Sequence, residues 1–204
     1  MPYNTRLKRG FDIVASTFGL IIISPFLLII ALAIGLEGQG SVIFRQARTG
    51  RYGKPFVIYK FRTMKVNSRG NTVTIKGDGR ITSVGRILRK FKLDELPELW
   101  NVVRGDMSLV GPRPDMPDLT GTLTGEEKLI LELRPGVTGP ATLKYANEEE
   151  LLAAQDDPKK FNDEVLWPDK VQINLDYYRS MNLMIDLMII LKTVFRRYSV
   201  NDFK

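Results

Sequence analysis

Residues 89–114 read RKFKLDELPELWNVVRGDMSLVGPRP and bring an adjacent pair of acids, Asp94 and Glu95, among Arg89, Arg104 and Arg113. A Gly-Pro-Arg-Pro turn closes the stretch. Leu93, Leu96, Leu99, Val102 and Val103 recur at helical spacing, which predicts one short amphipathic helix. Asp94 then falls at its N-cap or first turn, where free backbone N–H groups and the helix dipole favour a carboxylate. Pro97 suits that first turn, which has no amide bond to lose. Ordinary capping accounts for the acids alone. It does not account for the arginines and the rigid Pro-Arg-Pro, which are what a diphosphate and a metal ion require.

The 204 residues contain neither cysteine nor histidine. Disulfides, thiol chemistry, Cys/His zinc sites and imidazole catalysis are therefore excluded. Proton transfer and metal binding fall to carboxylates, lysine, tyrosine or water, and oxygen ligands favour magnesium (Mg2+) over zinc. No strong base is at hand to activate a hydroxyl, whereas an ionised carboxylate needs none. Two acids consecutive on a helix point ~100° apart, so only one can be in line with a given phosphorus. The net charge of +7 suits nucleic acid, an anionic membrane or a phosphorylated substrate without choosing among them.

Elements must position these groups, and the one at the N-terminus is apolar. Residues 13–36 carry no charge. As one helix they would measure roughly 36 Å, against ~30 Å for a hydrocarbon core. The run is too long for a cleaved signal, and no clean small-residue cleavage site follows. Ser24-Pro25 lies at its middle, where proline frees the carbonyl of Ile21 and a serine hydroxyl can satisfy it. Each half is ~18 Å and too short to cross alone. Arg6, Lys8 and Arg9 precede the run, and Arg45, Arg48, Arg51 and Lys54 follow it, which places both ends on the cytoplasmic side. A re-entrant helix turning at Ser24-Pro25 meets both conditions; a kinked spanning helix is the alternative.

Residues 41–64 read as a β-hairpin around TGRYGK, with Lys60 and Arg62 on one face of the second strand. A polar loop at 66–79 precedes a basic helix at 80–92, whose buried side is expected to be Ile81, Val84, Ile87, Leu88 and Phe91. After an acidic-capped helical segment, RPGVTGP at 134–140 reads either as a loop approaching an anion or as an ordinary turn. Residues 147–161 suggest a helix and a loop. Residues 172–198 form a last long segment; its apolar part, 183–191, holds only Asp186 and precedes Lys192, Arg196 and Arg197. That pattern fits an interfacial helix or a core helix equally. The expected fold is α+β, mostly helical with a small β-hairpin. A re-entrant membrane helix occupies 1–40, and 41–204 form one cytoplasmic unit with interfacial amphipathic helices.

The hydrophobic segment with Ser24-Pro25, YKFRTM, LDELPELWNVVRGDMSLVGPRP, RPGVTG and DYYRSMNLMIDLMIILKT together resemble the bacterial sugar transferase family. These are small monotopic polyprenyl-phosphate phosphoglycosyl transferases, and the resemblance covers essentially the whole chain. It implies transfer of a phosphosugar from a UDP-sugar to undecaprenyl phosphate, with release of UMP, at the cytoplasmic face of a bacterial inner membrane. It implies Asp94 as nucleophile with magnesium beside it, and Glu95 as its dyad partner. Arg113 and Arg134 would hold nucleotide phosphates, with Lys60 and Arg89 as basic positions near the acids. Larger relatives carry spanning helices ahead of this unit, so the chain is expected to be the minimal catalytic form. Glu98 stands where the family usually has glutamine, and is expected on the helix surface. PATLKYANEEE replaces a small-residue continuation after RPGVTG, in a region expected to help choose the sugar. A membrane-anchored basic scaffold for anionic lipid or nucleic acid is the competing class. It would need neither Asp94 nor magnesium, and no nucleic-acid motif is present. The sugar and the glycan pathway are not legible, and a homo-oligomer stays open.

Overall fold

A computed structural model describes residues 5–38, 40–65 and 78–195. The expected loop at 66–79 lies almost wholly outside the described residues, as do Arg196 and Arg197. Helix α1 runs Thr5–Leu36, so the basic N-terminal flank is part of the helix. The helix continues through Pro25, so the expected break at Ser24-Pro25 is absent; the Ser24 hydroxyl donates to the Ile21 carbonyl at 2.8 Å and satisfies the group that proline frees. Val14, Phe18, Ile21, Ile22, Leu28 and Leu32 are exposed; Phe18, for example, is 65% accessible. This helix is long and apolar enough to cross a membrane and is mostly unburied, unlike the core helix of a soluble protein.

Its two ends are nevertheless anchored to one body. Near the N-terminus, buried Asp12 accepts the Ser108 hydroxyl at 2.8 Å and the Leu109 amide at 3.1 Å, and Arg9 donates to the Val103 carbonyl. Near the C-terminus, Ile30 and Ile34 pack with Phe61 and Leu88, and Arg62 donates to the Ile34 carbonyl at 3.0 Å.

Strands β1 (Ile43–Thr49) and β2 (Pro55–Phe61) form the expected antiparallel hairpin, with Arg48 opposite Phe56 and Phe44 opposite Lys60. Arg62 lies just past β2 and is buried as an anchor for α1. Helix α2 (Ser83–Phe91) is capped by the Thr82 side chain, which accepts the Gly85 amide. It buries Leu88 and half-buries Val84, but Ile87 and Phe91 are exposed, contrary to the pattern-based expectation. The helix lies on the surface and offers α1 and the hairpin only one narrow face.

The predicted helix across 93–103 is broken. Lys92 adopts a left-handed conformation (φ 55°) that ends α2, Leu93–Glu95 form a single 3-10 turn, and α3 begins only at Glu98–Arg104. Pro97, which has no amide, caps that helix in place of an acid. Asn101, fully buried on α3, accepts the Tyr59 amide at 3.1 Å and donates to the Val57 carbonyl at 2.7 Å. One amide side chain thus docks α3 against the edge of β2.

Strand β3 (Ser108–Val110) pairs in parallel with β4 (Gly136–Thr138), so RPGVTG contains a strand where a loop or turn was expected. Helix α4 (Pro117–Thr120) and a 3-10 segment, Gly125–Glu132, capped reciprocally by Thr124 and Glu127, lie between them. Helices α5 (Pro140–Lys144), α6 (Glu148–Ala153) and α7 (Pro158–Phe161) follow. The last expected segment is two helices, α8 (Trp167–Ser180) and α9 (Leu183–Phe195), separated at Met181-Asn182. Helix α9 buries Asp186 and Ile189 and exposes Met184, Leu191, Val194 and Phe195. Val110, Leu143, Tyr177 and Ile189 form one core cluster; Leu123, Ile130, Trp167 and Leu175 belong to a second.

The glycines of GPRP and RPGVTG serve this packing. A Cβ on Gly136 would lie 2.2 Å from the Gly111 nitrogen, and one on Gly139 would lie 2.2 Å from the Gly111 carbonyl oxygen. Main chain meets main chain there, and neither side can yield. Gly136→Ala should therefore lower stability by about 1–3 kcal/mol, whereas Gly35→Ala, with nothing within 4 Å of the added carbon, should not. Thermal unfolding of the two detergent-solubilised variants compares them directly; equal melting temperatures would disprove the close-contact role.

Candidate active site

Asp94 and Glu95 sit on the 3-10 turn between α2 and α3, and both are buried. Lys60 reaches them from β2 because Asn101 fixes that strand against α3. Its Nζ donates to Glu95 Oε1 at 2.7 Å and lies 3.0 Å from Glu98 Oε1. Arg113, from the Pro-Arg-Pro turn after β3, donates to the same Glu95 oxygen at 2.9 Å. Arg89 on α2 pairs with Glu149 at the start of α6, and its charge also acts on Asp94. The structure therefore brings together Asp94, Glu95, Lys60, Arg89 and Arg113.

Arg134 is placed elsewhere. Its Nε donates to the Gly105 carbonyl at 3.0 Å, and its cationic neighbours are Arg9 and Arg51. The resemblance placed it beside the nucleotide phosphates; the glycines that follow it in RPGVTG pack β4 against Gly111.

Glu98 is not on the helix surface. It is 2% exposed and faces Lys60, so three carboxylates converge where two were expected. Pro97 displaces the start of α3 and turns the first helical residue inward. Arg48 was also missed: it lines one small cleft together with Lys60, Glu98 and Arg113. The hairpin register carried that information, since Arg48, Gln46 and Phe44 lie opposite Phe56, Ile58 and Lys60 on one face. The PATLKYANEEE segment supplies Glu149 to Arg89 and Glu148 to Lys170.

Burial raises the Asp94 carboxyl, the adjacent Glu95 charge adds to this, and Lys60 and Arg89 oppose it. The first-turn helix dipole expected to keep Asp94 ionised is therefore not the governing effect. For Glu95, burial also pushes upward, but Arg113, Lys60 and Lys92 outweigh it and hold the group well below the carboxylate range. Burial and the Glu95 charge lift Glu98 to about 7 against the pull of Lys60 and Arg113. Burial tends to discharge Lys60, and Glu95 and Glu98 more than reverse this.

Three polar atoms here are buried and have no hydrogen-bond partner among the described residues: Asp94 Oδ1, Arg48 Nε and Arg89 Nε. Asp94 Oδ1 and the Arg89 whose charge acts on it form a polar site awaiting both a cation and an anion, and Arg48 adds a bare donor near Glu95 and Glu98. No group of three acidic side chains able to chelate a metal exists among the described residues. A magnesium ion here would fit the usual pattern of one carboxylate plus phosphate oxygens and water.

A buried acid with a free oxygen, set near Lys60 and Arg89 and carried in a chain with a long, exposed apolar helix, is suited to phosphate chemistry at a lipid boundary. The sequence model of the family described as bacterial sugar transferase matches residues 3–199, and the chain belongs to that family. It is 38% identical over 201 residues to the UDP-glucose:undecaprenyl-phosphate glucose-1-phosphate transferase of Escherichia coli, covering 96% of this chain and 41% of the relative. It is 40% identical to the Caulobacter vibrioides protein of the same name, covering 92% and 68%. It is 35% identical to the UDP-N-acetylgalactosamine-undecaprenyl-phosphate N-acetylgalactosaminephosphotransferase of Aeromonas hydrophila, covering 95% and 44%. The chain thus spans under half the length of the E. coli and Aeromonas relatives.

Glu98 gives the site a pH signature. Its folded-state pKa is about 7 against an ordinary 4.5, so its contribution to stability is full below pH 4.5 and is lost as pH rises through about 7. Glu98→Gln keeps an acceptor for Lys60 without the charge. The variant should show a flatter fall in stability between about pH 5 and about pH 8, ending about 1–3 kcal/mol more stable than the parent at the alkaline end. Unfolding measured at both pH values decides this, and a parent-like slope in the variant would assign the dependence to other groups.

Proposed function

We propose that this protein transfers a phosphosugar from a UDP-sugar to undecaprenyl phosphate, releasing UMP, through a covalent aspartyl-phosphosugar at Asp94. The carrying observation is the unequal state of two adjacent acids: Glu95 is held by Lys60 and Arg113, whereas Asp94 keeps a buried oxygen free. The relatives' names share a UDP-sugar and undecaprenyl phosphate but differ between glucose and N-acetylgalactosamine, so the sugar stays open.

Asp94 attacks the phosphorus that bears the sugar. An O–P bond forms as the P–O bond to UMP breaks, and UMP leaves with that electron pair. An oxygen of undecaprenyl phosphate then attacks the same phosphorus and frees the Asp94 carboxylate. One displacement between two anions becomes two easier ones. Arg48 and Arg89 offer their free Nε–H groups to phosphate oxygens, and Arg113 holds Glu95 in register while its remaining donors face the substrate. Magnesium would be held by Asp94 together with diphosphate oxygens, where it supplies positive charge that favours the ionised carboxylate and offsets charge on the leaving group. Lys60 keeps Glu95 and Glu98 from repelling the incoming diphosphate.

Helix α1 would sit in the inner membrane of a bacterium and return on the cytoplasmic face. Two observations support this topology: both of its ends rest on the same body, and basic residues flank both sides of its apolar run.

Incubation with a UDP-sugar and magnesium, without acceptor, should release UMP and leave a phosphosugar mass on the peptide containing Asp94. Asp94→Asn should lose both, while Glu95→Gln keeps the adduct and turns over more slowly. UMP release only in the presence of acceptor would replace this scheme with direct transfer. Exhaustive chelation should stop UMP release and added magnesium restore it; undiminished release after chelation would remove the metal from the mechanism.

A further inference from the structure

A second cleft lies on the molecule and shares no lining residue with the one at Lys60 and Arg113. Arg9 reaches it from α1, Arg51 from the turn of the hairpin, and Arg134 from just ahead of β4. All three guanidinium groups are fixed by main-chain carbonyls: Arg9 by Val103 and Met107, Arg51 by Glu132 at 2.7 Å, and Arg134 by Gly105 at 3.0 Å. A carbonyl orients a guanidinium without cancelling its charge.

The acids nearby are committed to other groups. Asp12 accepts from Ser108 and Leu109, Asp186 from Lys8 and Tyr177, and Glu132 from Tyr178. None of the three arginines has an ion-pair partner among the described residues. Burial and the charges of Arg51 and Arg9 all disfavour the charged form of Arg134. Asp12 offsets part of this, and three like charges held together are stabilised further when an anion joins them.

The position in the fold says which anion. Arg9 sits among exposed apolar positions of α1, between Leu7 on one side and Ile13 and Val14 on the other. Lys8 pairs with Asp186 on α9, a helix that also exposes an apolar face. The cleft therefore lies where two lipid-facing helices meet, and Leu133 and Met181 give it apolar walls. Tyr52 stacks against Arg51 and is exposed at the same turn, as aromatic residues are at the level of lipid headgroups. We propose that Arg9, Arg51 and Arg134 form a binding site for the phosphate of an anionic phospholipid, separate from the site of phosphosugar transfer. The proposal rests on the membrane placement of α1 and not on the transfer chemistry.

The purified full chain in zwitterionic detergent is titrated with short-chain phosphatidylglycerol, short-chain phosphatidylcholine, inorganic phosphate or UDP, with thermal unfolding as the readout. Phosphatidylglycerol should raise the melting temperature saturably and phosphatidylcholine should not. Arg9→Gln/Arg51→Gln should weaken the phosphatidylglycerol response about tenfold or more, the fold-change expected for loss of a charged hydrogen bond. Arg51→Gln alone, which leaves α1 intact, should weaken it to a smaller extent and guards against misfolding of the double variant. Equal responses to the two lipids, or an unchanged response in both variants, would overturn the site. Saturation of the same effect by inorganic phosphate would replace the lipid with a free anion, and displacement of the lipid effect by UDP would return the cleft to the nucleotide. UMP release by the parent, measured separately, reports on the transfer reaction whichever way the lipid result falls.

Discussion

The interaction on which the rest of the site depends is the sharing of Lys60 between two buried carboxylates. Glu95 and Glu98 lie 2.7 Å and 3.0 Å from one ammonium group, and Arg113 closes the set by donating to the same Glu95 oxygen. Breaking a buried pair by removing one partner typically costs ~3–5 kcal/mol, because the remaining charge is left uncompensated. The geometry around Lys60 is therefore tightly constrained: β2 must lie against α3, and the Pro-Arg-Pro turn must come back over both. Asn101 meets the first requirement by completing the hydrogen bonding of Val57 and Tyr59. The contact of Gly111 with Gly136 and Gly139 meets the second, since it fixes the main chain just ahead of Arg113.

This arrangement leaves Asp94 as the exception in its own neighbourhood. Glu95 and Glu98 both lie against Lys60, and of the three acids only Asp94 has a fully buried oxygen with no hydrogen-bond partner among the described residues. Its charged form is disfavoured by burial and by Glu95, so it depends on whatever cation arrives with the substrate. An acid in that state is stable enough to keep and reactive when the site fills.

Helix α1 joins two environments along its length. Asp12 and Ser16 are buried toward the body in one half and Ile30 and Ile34 in the other, while the large apolar residues between and around them face outward. Lys8, Asp186 and Tyr177 extend the anchoring through α9 and α8. The exposed apolar residues Ile87 and Phe91 on α2, and Met184, Leu191 and Phe195 on α9, add to the same outward character. A lipid surface over these residues would remove the reason to bury them.

The sequence by itself determined the apolar helix with its Ser24 hydroxyl bond, the hairpin, the basic helix and the family, because each is a local or contiguous pattern. It also left proton transfer and metal binding to carboxylates, lysine, tyrosine or water, since the chain holds neither cysteine nor histidine. The tertiary structure alone decided that Glu98 is inside, that Arg48 lines a cleft with Lys60 and Arg113, and that Arg134 lines a different one. Helical periodicity across 93–103 was real, but a left-handed Lys92 and an amide-free Pro97 interrupted it and changed which way Glu98 points. The glycines of RPGVTG looked suited to an anion, yet the close neighbour they admit is the backbone of Gly111. Spacing along a chain records which residues can share a face; only the packed chain fixes which face meets which charge.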